Sequence, residues 1–244
     1  MISTMKRLTT VFTAALAALI ALGTAVQAQD APSTRFMPDK VYTTTLVQTI
    51  TGNDGTKDIT PVTRSQVYRV ETGKMKNNSF PATLTVYSGA SGTEAETTNP
   101  ETVIKFQVSG NTLTGFELAK GEGRASSDAA HIMAGQHLEG MLQMTKYDLK
   151  RKIKREYTIE SNTGSGTTRS VSFKIQDISP DPMKDVGMIT RKYGKGTFDT
   201  RYDFFTQVTE TEENNIFVPA DELGPEKEVT MKTVRKYTTK IANN

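Results

Sequence analysis

From Val41 almost to the last residue, apolar side chains recur at every second position, and the runs are separated by short clusters of Gly, Asn, Asp, Ser and Pro. A period of two places alternate residues on opposite faces of a β-strand, so this pattern predicts antiparallel strands joined by turns. VYTTTLVQTI (41–50) leads into the turn Thr51-Gly52-Asn53-Asp54-Gly55. VTRSQVYRVE (62–71) sets Tyr68 and Val70 on one side, and FPATLTVYS (80–88) sets Ala82, Leu84 and Val86 on one side. A small, polar surface loop is expected over 88–101. TVIKFQVSGNTLTGFEL (102–118) reads as a hairpin turning at Gly110-Asn111.

Alternation stops at ASSDAAHIMAGQHLEGMLQMTKYDLKRK. Ser126, Ser127 and Asp128 offer N-caps, and a helix is expected from about 128 to 147. Ile132, Leu138 and Leu142 lie on one side of it, and Met133, Met141 and Met144 add apolar surface on another. Gly135 and Gly140 weaken its intrinsic propensity, so it must depend on packing against the sheet.

Strands resume with KIKREYTIE (152–160) and TTRSVSFKIQDI (167–178), where Arg169, Val171, Phe173 and Ile175 share a face. A corner is expected at Ser179-Pro180-Asp181-Pro182 and a hairpin turn at Gly194-Lys195-Gly196. The next strand puts Phe198, Tyr202, Phe204 and Val208 on one face and ends in an acidic turn, Glu210 to Asn215. The closing strand alternates strictly, with Val229, Met231, Thr233, Arg235, Tyr237, Thr239 and Ile241 pointing one way.

About ten strands and one helix make the fold class mainly β. One-faced strands must bury their apolar side, and a single helix is little cover for so many. The sheet must curl round the helix as a half-barrel, or fold on itself as a β-sandwich.

The first residues read as an export signal. Lys6 and Arg7 precede an apolar run from Val11 to Ala21, and Val26-Gln27-Ala28 supplies small residues for cleavage before Gln29. Residues 1–28 are thus expected to be a cleaved signal peptide, and 29–244 a single β-rich domain, periplasmic or extracellular. The chain has no cysteine, so neither a disulfide nor a lipidated cysteine is available. Beyond the leader no apolar run reaches membrane-spanning length. The formal charge of +3 includes both leader cations, which leaves a near-neutral chain without the basic footprint of a nucleic-acid binder.

Catalytic chemistry is sparse. His131 and His137 are six residues apart and so do not form an i,i+4 metal pair on a helix. No Gly-x-Ser-x-Gly nucleophile turn occurs, and no cofactor motif is complete. A carboxylate pair assembled by the fold stays open as a hydrolase reading. The run Lys146 to Tyr157 is strongly basic, matching either an anionic surface or the C-terminal end of a helix followed by a solvated strand.

The order aromatic strand (Tyr202 to Val208), acidic segment, Ile216-Phe217-Val218-Pro219 and long alternating strand through Tyr237 resembles the end of LolA/LolB-like periplasmic carriers. This chain opens with a strand where those carriers place a helix. The resemblance implies an exported curved sheet on a helix that binds lipids, lipoprotein acyl chains or other apolar cargo, and the sparse inventory of reactive residues predicts no enzyme and no cofactor. The apolar-face candidates for a ligand site come from alternation: Met133, Leu138, Met141, Leu142, Val171, Phe173, Phe198, Tyr202, Phe204, Val229, Met231 and Tyr237. A filled interaction module binding an envelope protein or glycan is the other reading.

Overall fold

A computed structural model describes residues 31–89, 97–121, 126–150, 154–178, 188–218 and 227–244. The expected leader, half of the 88–101 loop, the Ser179–Pro182 corner and Pro219 lie outside the described residues.

Ten strands form one antiparallel sheet. The first five are β1 (Lys40–Asn53), β2 (Asp58–Thr72), β3 (Ser79–Ser88), β4 (Thr102–Ser109) and β5 (Thr112–Lys120). Helix α1 (Ser127–Met141) follows. The second five are β6 (Lys154–Thr163), β7 (Thr168–Ile178), β8 (Met188–Asp199), β9 (Phe204–Val218) and β10 (Lys227–Asn243). Their order is β5-β4-β3-β2-β1-β10-β9-β8-β7-β6. Two five-stranded meanders therefore meet along a central β1–β10 seam, in register from Lys40 opposite Asn243 to Asn53 opposite Thr230. β5 and β6 are the two unpaired edges. The sheet is open, and it is a half-barrel rather than a sandwich.

The helix explains the curvature. Ten strands laid flat would span roughly 43 Å, at about 4.8 Å per strand. Yet α1 reaches both edges. Its His131 ring stacks on Phe116 of β5 with centroids 4.0 Å apart, and its Glu139 pairs with Arg155 of β6 at 2.8 Å. A helix about 10 Å wide can do this only if the sheet wraps around it.

The helix is shorter than its sequence suggests. Ser126 caps the start, its Oγ accepting from the Ala129 amide. Leu142 already has a non-helical backbone, and Met144 has φ +56°. The chain turns there because the residues beyond have other partners. Gln143 accepts from Tyr157 and from Thr34, while the Tyr147 hydroxyl accepts from the Phe36 amide. The inward face of α1 is built from small residues, Ala130, Ala134 and Gly135, together with Leu138 and Met141, and Ile132 stays exposed.

Two expected turns are strand. Gly194, Lys195 and Gly196 lie inside β8, and the real turn is Thr200 to Asp203. The glycines are there for rings. A Cβ on Gly194 would fall 2.6 Å from Phe173, and one on Gly196 would fall 2.9 Å from Phe205. The acidic segment Glu210 to Asn215 lies inside β9, because its acids meet cations on neighbouring strands.

Candidate functional site

The inner face of the sheet divides into two zones. Toward the β8–β9 turn it is filled. Tyr42, Phe36, Phe106, Phe204, Phe173 and Phe205 form a continuous core with the helix. Leu138, Met141, Leu142, Val171, Phe173, Phe198, Phe204 and Tyr237 are all buried in this core, and Met133 and Tyr202 are half-buried against it. Tyr202 sits in the β8–β9 turn rather than in a strand. These ten candidates are brought together, but as packed core.

Val229 and Met231 lie apart from them, further along β10. The strands near the seam are 14 to 17 residues long and outrun the 15-residue helix, since a strand rises more than twice as far per residue. Beyond the helix, no helix among the described residues covers the inner face. Register places Ile50 opposite Val62, Gly52 opposite Met231 and Ile59, and Val229 opposite Ile216. Met231, Ile59 and Val62 are each close to 40% exposed.

Between the filled core and this open apolar end lies a band of charge. Arg235 of β10 donates to Glu210 and Glu212 of β9, both at 3.0 Å. Lys192 of β8 bonds Asp177 of β7 at 2.5 Å and stands 3.5 Å from Glu212. Arg155 of β6 joins Glu139 of the helix at 2.8 Å, Glu210 at 3.4 Å and Asp177 at 3.5 Å. The strand register demands this meeting, because Lys192 faces Glu212, and Arg235 faces Glu210. Glu210 is 1% exposed.

Electrostatics follow from burial and partners. Burial disfavours charge on Arg155, but Glu210, Glu139 and Asp177 outweigh it and raise its pKa. Burial likewise disfavours the Glu212 carboxylate, yet Arg235 and Lys192 prevail and hold its pKa below the usual value. Burial, then the charge of Glu210, pushes the Tyr237 hydroxyl far up. The fold thus does assemble carboxylates in a cleft. Cations hold them, however, and Glu212 is driven away from the raised pKa that a general acid needs.

Two adjoining clefts open on this band. The inner one, about 420 Å³, lies along the flank of α1 between Ile132, Gln136 and Glu139 and the sheet. The outer one, about 510 Å³, runs to Ile175, Ile216 and Met231. Asp177, Lys192 and Glu212 form the wall they share. Sequence alternation found Met231 but missed the charged wall, although Glu210 and Glu212 repeat at the strand period opposite the alternating Arg235. Among the described residues no group of three or more His, Cys, Asp or Glu could hold a metal ion.

No family model matches the chain, and no curated protein is similar enough to match. Among solved structures it is similar to a LolA superfamily protein from Nitrosomonas europaea, at 7% identity and a TM-score of 0.20, covering 86% of this chain and 88% of that one. It is also similar to an outer membrane channel from Pseudomonas putida F1, at 9% identity and a TM-score of 0.20, covering 88% of this chain and 100% of that one.

Proposed function

We propose that the protein is an exported binding or carrier protein for a ligand with an apolar chain, a lipid or acyl chain, seated in the two clefts. The observation that carries this reading is the open inner face beyond the helix. An apolar wall of Ile175, Ile216 and Met231 borders the outer cleft, and the two clefts together are the size of a small-molecule site. Met231 stays uncovered at the outer cleft, and Ile59 and Val62 stay uncovered on β2 of the same face, an exposed apolar stretch that a purely packed core does not need. The apolar-face candidates of the core then shape the scaffold, and Met231, on the wall of the outer cleft, is the one that serves the ligand. The leader-like start supports export to the periplasm or beyond. Among the described residues no helix is long and apolar enough to cross a membrane.

Native mass spectrometry of the protein purified without detergent tests this. A bound species of lipid mass, lost on organic extraction, is expected. An apo mass together with no uptake of a fluorescent fatty acid would overturn the reading.

A further inference from the structure

We infer that the ligand is an amphiphile with a zwitterionic head, bound against the charged wall shared by the two clefts. This rests on the reading of the clefts as a ligand site. Among the described residues the inner cleft is lined by four cations, Lys150, Arg155, Lys192 and Arg235. It is also lined by Glu139, Asp177 and Glu212, with Glu210 directly behind Arg155 and Arg235. Four positive and four negative groups make the wall neutral as a whole. The wall is also largely paired within itself. Arg155, Lys192 and Arg235 are each no more than 23% exposed, and each touches at least two carboxylates.

A head with net charge fits such a wall badly. Away from the exposed Lys150, an anion must draw a cation away from its carboxylate, and a cation must do the reverse. Either exchange strands a half-buried charge, which costs far more than a surface pair is worth. A zwitterion can insert between an existing cation and carboxylate and pair with both, so no charge is left over. One detail favours a head that also donates hydrogen bonds. Asp177 Oδ1, on the shared wall, is buried and accepts no hydrogen bond from the described residues, with Arg155 Nε 3.5 Å away. An ammonium group brings the donor that this acceptor lacks. The apolar chain then runs outward over Ile175, Ile216 and Met231.

The test compares three probes with the same twelve-carbon chain, each below its micelle concentration, by isothermal titration calorimetry on the intact protein. They are lauroyl lysophosphatidylethanolamine, laurate and dodecyltrimethylammonium. The zwitterion is expected to bind about tenfold tighter than either ion, or better. Lys192→Met leaves the wall negative and should move the preference toward dodecyltrimethylammonium. Asp177→Asn leaves it positive and should move the preference toward laurate. Loss of packing alone would not send the two variants in opposite directions. The wild-type ranking decides the matter should either variant fail to fold. Equal binding of all three probes, or tightest binding of an ion, overturns the zwitterion while leaving the carrier reading intact. Binding of none overturns the carrier reading as well.

Discussion

Glu210 sits between Arg155 and Arg235 at the base of the charged wall, with no water-accessible side to turn to. Removing its charge leaves two guanidinium groups facing each other in a half-buried site. Glu210→Gln should therefore cost about 3–5 kcal/mol of stability, measured by urea denaturation. Lys232 pairs with Glu213 on the outer face at 2.9 Å, but it is half exposed, so Lys232→Ala should cost less than about 1 kcal/mol. A similar loss in both variants would mean that the wall is not desolvated as described. Glu212 supplies a pH signature. Its folded pKa is depressed from an ordinary 4.5, so its contribution is present above about pH 4.5 and is lost as the pH falls through the folded value. Glu212→Gln should lower stability at neutral pH and flatten the loss below about pH 4.5. An unchanged acid limb in a denaturation series would show that the Arg235 and Lys192 contacts do not persist in solution.

At the scale of the helix, the residues that look weakest are those that let it dock. A Cβ on Gly135 would lie 1.9 Å from the Leu149 carbonyl oxygen, and one on Gly140 would lie 2.3 Å from the Tyr237 ring. In an isolated helix, replacing Gly by Ala stabilises by about 1 kcal/mol. Here Gly135→Ala should instead destabilise, by about 1–3 kcal/mol, because the obstacle is backbone and cannot swing aside. A rise in the thermal midpoint of this variant would show that α1 does not sit against residues 148–150. The same logic explains what the sequence disclosed. Alternation located the strands and the one-faced sheet, since Val171, Phe173 and Ile175 are buried by the rule that placed them together. Gly194 and Gly196 misled because glycine normally signals a turn, whereas here it makes room for Phe173 and Phe205. Glu210 to Asn215 misled for the related reason that an acidic run normally faces water. The partners that keep it in a strand lie 25 residues away at Arg235 and 55 away at Arg155. The charged wall is a product of register, and a single sequence does not display register.

For the whole molecule, the chain order and the sheet order are circularly shifted relative to each other. Every neighbouring pair of strands is joined by a short connection except β1 and β10, whose paired residues are about 180–200 positions apart, and that pair is the centre of the sheet. Closing it is the largest single loop-closure cost of folding, so it should limit the rate. Asn244 lies beside the start of β1, close enough to exchange the two arrangements, because its amide donates to the Asp39 carbonyl at 3.1 Å. A permutant that joins Asn244 to Pro32 through a Gly/Ser linker, and opens the chain between Lys150 and Lys154, would run β6 to β10, then β1 to β5, then α1. All nine strand pairings would then be local in sequence, and the only covalent link lost is that between the helix and an edge strand. The permutant should refold about tenfold faster or more while keeping a similar urea midpoint. The chain has no tryptophan, so far-ultraviolet circular dichroism in a stopped-flow instrument is the appropriate probe. A refolding rate equal to that of the native order would show that the seam forms after the limiting step. The slow event would then be docking of α1 into the curved sheet, whose contacts to β10 stay distant in either chain order.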